Sequence, residues 1–229
     1  VLLARLAILL AVYSLLRLIF LCYHFDELSS ANSFDLIIMS FIHGIRYDIA
    51  AILYVNMLVI ALHIPPVTLG QTRTWSRKLE KVCYFTFNVP FLILMVSDMI
   101  YYSYISKRIT FDFFEYLHDI APLATQYILD YWYVLLFLFA LIWGINWLYN
   151  KTSMLGSPSK ASWVDLVAFP AFFFIWVFAV RGGAQTRPIS LITATEVTSP
   201  SLNAVVINTP FSLLMTYDKS RSLVTKKEC

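Results

Sequence analysis

Long apolar runs alternate with short polar segments along the whole chain. Five runs reach the roughly 20 residues that a helix needs to cross the hydrocarbon core of a bilayer. They cover about 1–22, 36–64, 83–104, 127–149 and 163–180. Strands of a membrane β-barrel would alternate over only about 10 residues, so runs of this length argue for helices. The pattern predicts an all-α integral membrane protein, a bundle of five transmembrane helices.

The composition supports a membrane protein and excludes several other classes. Hydrophobic residues make up 59% of the 229 residues and charged residues 14%, whereas soluble domains carry about 25% charged residues. A formal net charge of +3 is too small to indicate a nucleic-acid partner. Cys22, Cys83 and Cys229 lie far apart and the histidines show no metal spacing, so no metal site is predicted in this chain.

The charges of the short loops predict an orientation. Residues 65–81 carry four basic residues and one acid, and residues 150–162 carry two bases and no acid. Short basic loops stay on the cytoplasmic side, so we expect the N-terminus inside and everything after residue 180 outside. The chain is thereby divided into a transmembrane domain, 1–180, and an extracytoplasmic juxtamembrane segment, 181–229. This topology is that of a multi-pass membrane protein.

Two segments on the expected outer face have the pattern of amphipathic interfacial helices. Residues 109–120, ITFDFFEYLHDI, place apolar side chains at helical spacing with acidic residues elsewhere. Residues 208–217, NTPFSLLMTY, have a proline at a helix start and a short apolar face. Both are predicted to lie on the membrane surface.

Ionisable residues inside the apolar runs are costly and often mark function, and four of them are singled out as candidates. They are Arg17, Arg46, Asp48 and Asp98. Arg46 and Asp48 are two residues apart and face different ways on a helix. We therefore predict that Arg46 pairs with Asp98, at a similar depth. The alternative is that these charges only lock helices together or extend to the membrane surface.

The segment that follows the last run, RGGAQTRP (181–188), has the residue types of an anion-binding turn. Arg181 and Arg187 suit phosphate, and Gly182 and Gly183 allow a turn whose exposed N–H groups form an anion nest. Further residues expected to contribute are Gln185, Pro188 as a helix stop, and Lys107 and Arg108 on the same face. This set predicts a phospholipid headgroup site, and the alternative is a simple membrane-exit anchor.

Four segments carry a family resemblance: GIRYDIAAILY (44–54), SDMIYYSYISKRITFDFFEYL (97–117), RGGAQTRPI (181–189) and AVVINTPFSLL (204–214). They resemble the membrane half of the lipoteichoic acid synthase and phosphoglycerol transferase family, within the alkaline phosphatase and sulfatase superfamily. The most specific marks are R-G-G-x-Q-x-R-P and N-T-P-F-S. The resemblance spans almost the whole chain.

The resemblance implies a five-helix anchor for an extracytoplasmic α/β domain with a threonine nucleophile and a divalent metal, commonly manganese. That domain would take phosphoglycerol from a membrane phospholipid, phosphatidylglycerol first of all, and pass it to an envelope polymer or glycan. This chain has no match for the nucleophile or the metal ligands, so we expect an inactive fragment whose partners are the lipid and its own C-terminal catalytic domain.

The family motifs match this chain at a defined set of residues. The resemblance implies that these residues form a platform that faces the lipid. They are Arg46, Tyr47, Asp48, Arg181, Gly182, Gly183, Gln185, Arg187, Pro188 and Asn208. Alternatives are the membrane domain of a phosphoethanolamine transferase, a small transporter or a membrane assembly subunit.

Overall fold

The computed structural model describes residues 1–29, 32–62, 73–115, 124–154, 163–185, 187–197 and 199–217. Within these ranges the regular structure is helical and contains no strand, which confirms the predicted all-α fold. The helices in chain order are α1 (Leu2–Tyr23), α2 (Phe25–Ser29), α3 (Phe34–Val55), α4 (Met57–Ala61), α5 (Arg73–Ile105), α6 (Ala124–Asp130), α7 (Trp132–Met154), α8 (Trp163–Arg181), α9 (Leu191–Val197) and α10 (Asn203–Val206). A 3₁₀ turn, Pro200–Leu202, precedes α10, and residues 209–217 form a last helix, α11.

Four of the described helical segments are long and apolar enough to cross a membrane: Leu2–Tyr23, Phe34–Val55, Lys78–Ile105 and Trp132–Ser153. They correspond to the first four predicted spans and give the chain the character of a multi-pass membrane protein. The fifth predicted span coincides with α8, a helix of 19 residues. That helix is not one of the four, so a fifth crossing remains a prediction.

The long second apolar run does not form one continuous helix. It is interrupted at Asn56, between α3 and α4. The amide of Asn56 donates to the carbonyl of Ile52 at 2.9 Å and exchanges hydrogen bonds of 3.1 and 2.7 Å with the amide of Asn88 in α5. A reciprocal amide pair satisfies polar groups that would be costly in an apolar bundle, and it ties the end of α3 to α5.

Helix α1 lies at the centre of the bundle. Its fully buried side chains include Leu9, Tyr13, Leu16 and Phe20, and it contacts α3, α5 and α7. Helix α3 in turn contacts α8 and α10. The segment after α8 therefore packs against the first two long helices, although it is more than 130 residues away in sequence.

The structure corrects the prediction for residues 208–217. Their first part is buried: Thr209, Phe211 and Ser212 are at most 2% exposed. The ring of Phe211 packs edge-on against Tyr47 of α3, with centroids 5.0 Å apart. Residues 208–213 therefore belong to the core, whereas Leu214 and Tyr217 in the second half of the segment are exposed. In the other predicted interfacial helix, residues 113–115 are helical, and residues 116–120 lie outside the described ranges.

Candidate functional site

The bundle has two polar ends, named here by their arginines. The Arg5 end contains the start of α1 and the ends of α5 and α7 that meet it. The Arg46 end contains the ends of α1, α5 and α8 together with the tail from 189 to 217. Most of the predicted site residues lie at the Arg46 end.

Asp48 of α3 forms the first buried ion pair at the Arg46 end. Its Oδ1 accepts from Arg17 Nη2 of α1 at 2.5 Å and from Asn208 Nδ2 at 2.7 Å. Arg17 Nη1 also donates to the carbonyl of Val206 at 3.1 Å. Gly44 leaves room for the side chain of Arg17 to reach Asp48, because a Cβ at position 44 would lie 0.9 Å from Arg17 Nη1. The glycine allows the guanidinium to pass along the surface of α3.

Asp98 of α5 forms the second buried pair. Arg108 Nη1 donates to its Oδ2 at 2.5 Å, and the hydroxyl of Thr209 donates to the same oxygen at 2.8 Å. The backbone N–H of Ile109 donates to Oδ1 at 2.7 Å. Arg108 also donates to the carbonyl of Ala204 at 2.8 Å. Both carboxylate oxygens of Asp98 are therefore in use.

Asn208 and Thr209 are consecutive in sequence and reach two acids on two different helices. With their partners they form a unit that we call the clasp: Arg17, Asp48, Asp98, Arg108, Asn208 and Thr209. Removing one member of a buried ion pair leaves an uncompensated charge, which is strongly destabilising. The clasp therefore ties the tail to α1, α3 and α5.

The predicted Arg46–Asp98 pair is wrong. Arg46 points away from α5, toward the end of α8. Its Nε and Nη2 donate to the carbonyl of Gly182 at 3.1 and 2.5 Å, and Nη2 also donates to Gln185 Oε1 at 2.8 Å. Asp98 has Arg108 as its partner. A similar depth in the membrane does not determine which two charges pair. The rotation of each helix about its own axis decides which neighbouring helix a side chain faces.

Helix α8 ends at two glycines, as predicted. Gly182 and Gly183 have φ values of +85° and +117°. Their N–H groups donate to the carbonyls of Ala179 and Phe178, both at 3.1 Å, which is the hydrogen-bond pattern of a Schellman motif. The prediction of an anion nest at these glycines is therefore wrong, because both N–H groups close the helix. It is the carbonyl of Gly182 that faces Arg46.

A small cavity of about 90 Å³ lies beside this arginine, and we call it the Arg46 cavity. Its polar lining consists of His43, Arg46, Tyr47, Gln185 and Thr193, and apolar side chains close the rest. Gln185 Nε2 is buried and has no hydrogen-bond partner. The phenol of Tyr47 is held by the carbonyl of Ser190 and the hydroxyl of Thr193.

The remaining predicted site residues divide by exposure. Arg181, Arg187 and Lys107 are exposed, and none of them lines the cavity. Asp48, Asn208 and Arg108 were predicted to contact lipid but are buried in the clasp. We assign these three to holding the site together, because Asp48 Oδ1, Asn208 and Arg108 all bind within the bundle. Pro188 is exposed in the loop that follows α8.

Several residues of this end were not recognised from the sequence. Gly44 and Thr209 had no assigned role, and Arg17 had no identified partner. The signal was present for Thr209, since it follows Asn208 in the N-T-P-F-S motif. Nothing in the local pattern around Gly44 reveals that an arginine from another helix lies against it.

A larger apolar groove of about 480 Å³ lies between α5 and the α6–α7 region, and its lining includes Ile109, whose N–H binds Asp98. Four tyrosines contribute to its lining: Tyr101, Tyr104, Tyr127 and Tyr131. Its described lining carries no charged side chain, which separates it from the candidate site. The described His, Cys, Asp and Glu residues form no group of three that could hold a metal ion.

Comparisons with protein-family models, with curated proteins and with solved structures found no match to this chain. The functional argument therefore depends on the residues of the Arg46 end and their geometry.

Proposed function

We propose that this chain is the membrane domain of a lipid-dependent phosphoglycerol transferase, or of a transferase of a related phospho-alcohol group. It would act in a bacterial cytoplasmic membrane, with its N-terminus inside and its tail outside. One observation carries the proposal: the four segments that bear the family resemblance bind one another at a single end of the bundle. Asn208 binds Asp48 across 160 positions of sequence, and Arg46 binds Gly182 across 136.

These contacts favour a platform over a simple anchor. An anchor needs only apolar helices of sufficient length, and its exit segment can leave the membrane directly. Here the tail after α8 returns to the bundle, and its buried residues complete two ion pairs. Such an arrangement holds the described part of the tail against the bundle, as far as Thr216, whose hydroxyl oxygen accepts from the backbone N–H of Phe111 at 2.8 Å.

The exposed cations at the same end support an anionic lipid as partner. Arg181, Arg187 and Lys107 are exposed, and they lie in the same segments as Gln185 and Arg108 of this end. Basic residues near a membrane surface attract anionic lipids, each contributing about 1 kcal/mol. Phosphatidylglycerol is the donor that best fits this charge and the family resemblance.

The resemblance assigns the threonine nucleophile and the divalent metal, manganese in the first instance, to a domain that follows the tail. In this proposal the residues of the Arg46 end hold and orient the donor lipid, while bond breaking occurs in that domain. A phosphoethanolamine transferase would share the same division of roles and differ in its donor headgroup. An assay that supplies each lipid in turn as the donor therefore distinguishes the two transferases.

The test is a transfer assay with the protein encoded by the complete reading frame, reconstituted in vesicles. Fluorescent phosphatidylglycerol is supplied with manganese, and release of labelled diacylglycerol is followed. We expect release that stops when the metal is chelated. Release from phosphatidylethanolamine alone would move the assignment to the phosphoethanolamine branch, and folded protein that releases nothing from either lipid would overturn the proposal.

A further inference from the structure

Arg46 differs from the other buried or half-buried arginines of the described bundle in its partners. Three of those arginines face a carboxylate: Arg5 faces Glu80, Arg17 faces Asp48 and Arg108 faces Asp98. Arg46 binds only a backbone carbonyl and a side-chain amide oxygen, both neutral. The positive charge of Arg46 is therefore not neutralised within the described part of the chain.

An unneutralised guanidinium at this position is costly. Arg46 is half-buried in a helix long and apolar enough to span a membrane. Charges in such helices are normally paired or face a polar cavity. Arg46 does face a cavity, and that cavity has no carboxylate among its described lining residues. An anion inside it would supply the missing counter-charge.

The cavity also offers hydrogen-bond donors that the protein leaves unused. Among the described residues Arg46 Nη1 has no hydrogen-bond partner, whereas Nε and Nη2 are occupied. Gln185 Nε2 is buried without a partner on the same cavity, and a buried unsatisfied donor is itself destabilising by about 1–3 kcal/mol. One anion with several acceptor oxygens would satisfy both donors.

The size of the cavity limits what can enter it. About 90 Å³ holds a few water molecules or one small anion, and it is far below the roughly 300–1,000 Å³ of pockets that enclose drug-sized ligands. A phosphate group fits, and a whole phosphoglycerol headgroup with its tails does not. Arginine matches phosphate in geometry as well as in charge.

We propose that the Arg46 cavity binds a single phosphate group, through Arg46 and Gln185, with His43 and Thr193 completing its polar wall. The phosphate is that of an anionic lipid headgroup or free phosphate. The lipid source rests on the proposed function, whereas the phosphate chemistry rests on the cavity itself. The alternative that the cavity holds only water is an outcome of the test.

The decisive variant is Gln185→Glu, which is nearly isosteric and places a carboxylate where the amide oxygen now receives Arg46 Nη2. It gives Arg46 the internal partner that the other three arginines have. We expect the folded protein to keep or gain thermal stability while phosphate-group binding falls about tenfold or more, the equivalent of one charge-assisted hydrogen bond. Arg46→Gln should lower binding to a similar extent, and Lys78→Gln at the opposite end removes one exposed positive charge as the control.

Binding is measured on the purified full chain without turnover, so it can succeed even where lipid transfer fails. Native mass spectrometry follows retained phosphatidylglycerol against phosphatidylcholine, and calorimetry follows inorganic phosphate. Loss of phosphatidylglycerol retention in Gln185→Glu and Arg46→Gln, but not in Lys78→Gln, supports a lipid phosphate. If these two variants weaken the binding of inorganic phosphate but leave lipid retention unchanged, the site is supported with free phosphate as its ligand. In protein that remains folded, two results overturn the proposal: binding that none of the variants changes, or no binding of either ligand, which leaves the cavity to water.

Discussion

Both polar ends of the bundle hold arginines among apolar helices, but they differ in how the positive charge is balanced. At the Arg5 end, the guanidinium of Arg5 meets the carboxylate of Glu80, the hydroxyls of Thr152 and Ser153, and the ring of Tyr149 with its centroid 3.9 Å away. All of these partners come from the long helices themselves. The charge is balanced and enclosed, so this end has the properties of a structural lock between α1, α5 and α7.

At the Arg46 end, three arginines share two acids, and the polar partners come from the tail. Arg17 of α1 is twelve residues from Arg5, which places it about 18 Å further along the helix. It and Arg108 use the acids Asp48 and Asp98, and Arg46 remains with neutral partners. The comparison shows that buried charge alone does not indicate function. A charge left unbalanced beside a cavity is the more specific sign.

The largest effect is expected from breaking the clasp. Asp48→Leu leaves the guanidinium of Arg17 buried without its carboxylate, and the loss of a partner from a buried pair costs about 3–5 kcal/mol. The double variant Arg17→Leu with Asp48→Leu removes both charges and should be less destabilised than the sum of the single variants. Thermal unfolding in detergent, measured on all three variants, checks this. Additive losses would show that the two charges do not stabilise each other.

Breaking the lock at the Arg5 end should be milder and should leave ligand binding unchanged. Glu80→Leu removes the carboxylate, but Arg5 keeps the hydroxyls of Thr152 and Ser153 at 3.2 and 3.1 Å. We expect a loss of about 1–3 kcal/mol in unfolding free energy. Retention of phosphatidylglycerol by the folded fraction should match the wild type. A selective loss of lipid in Glu80→Leu would remove the functional distinction between the two ends.

The positions of the long helices were predictable, whereas the pairing of their charges was not. A run of about 20 apolar residues identifies a span by length and composition alone, and the glycines after α8 identify its end. The partner of Arg46 depends on how α3 is rotated against α8, which a run of apolar residues does not encode. The burial of residues 208–213 was missed for a related reason. Asn208 and Thr209 look suited to a surface until the acids that they bind are known.

A smaller effect is expected at the turn that presents a carbonyl to Arg46. In the variant Gly182→Ala, the alanine must adopt the left-handed φ of +85° that the glycine has now. The alanine Cβ would lie 2.4 Å from Ile189 Cγ2. Strain of this kind costs about 1–3 kcal/mol, and the buried, β-branched Ile189 has little freedom to move away from the new Cβ. The matched control is Gly144→Ala in α7, where a Cβ would meet nothing within 4 Å. There we expect a gain of up to about 1 kcal/mol. Equal effects of the two variants on thermal stability would contradict this account of the turn.

The smallest effect concerns how stability depends on pH, through His24 at the Arg46 end. His24 directly follows α1, and its Nε2–H donates to the carbonyl of Met99 at 3.0 Å. Burial lowers the pKa of His24 below its ordinary value of 6.5, and the nearby charge of Arg108 acts in the same direction, against the opposing contributions of Glu27 and Asp98. The folded protein then binds fewer protons than the unfolded chain below about pH 6.5, so its stability falls as the pH is lowered through that range and is constant above it. His24→Gln keeps a donor for Met99 but does not titrate, and its melting temperature should change less between pH 7 and pH 5 than that of the wild type. If the two melting curves shift equally with pH, the dependence arises from groups other than His24.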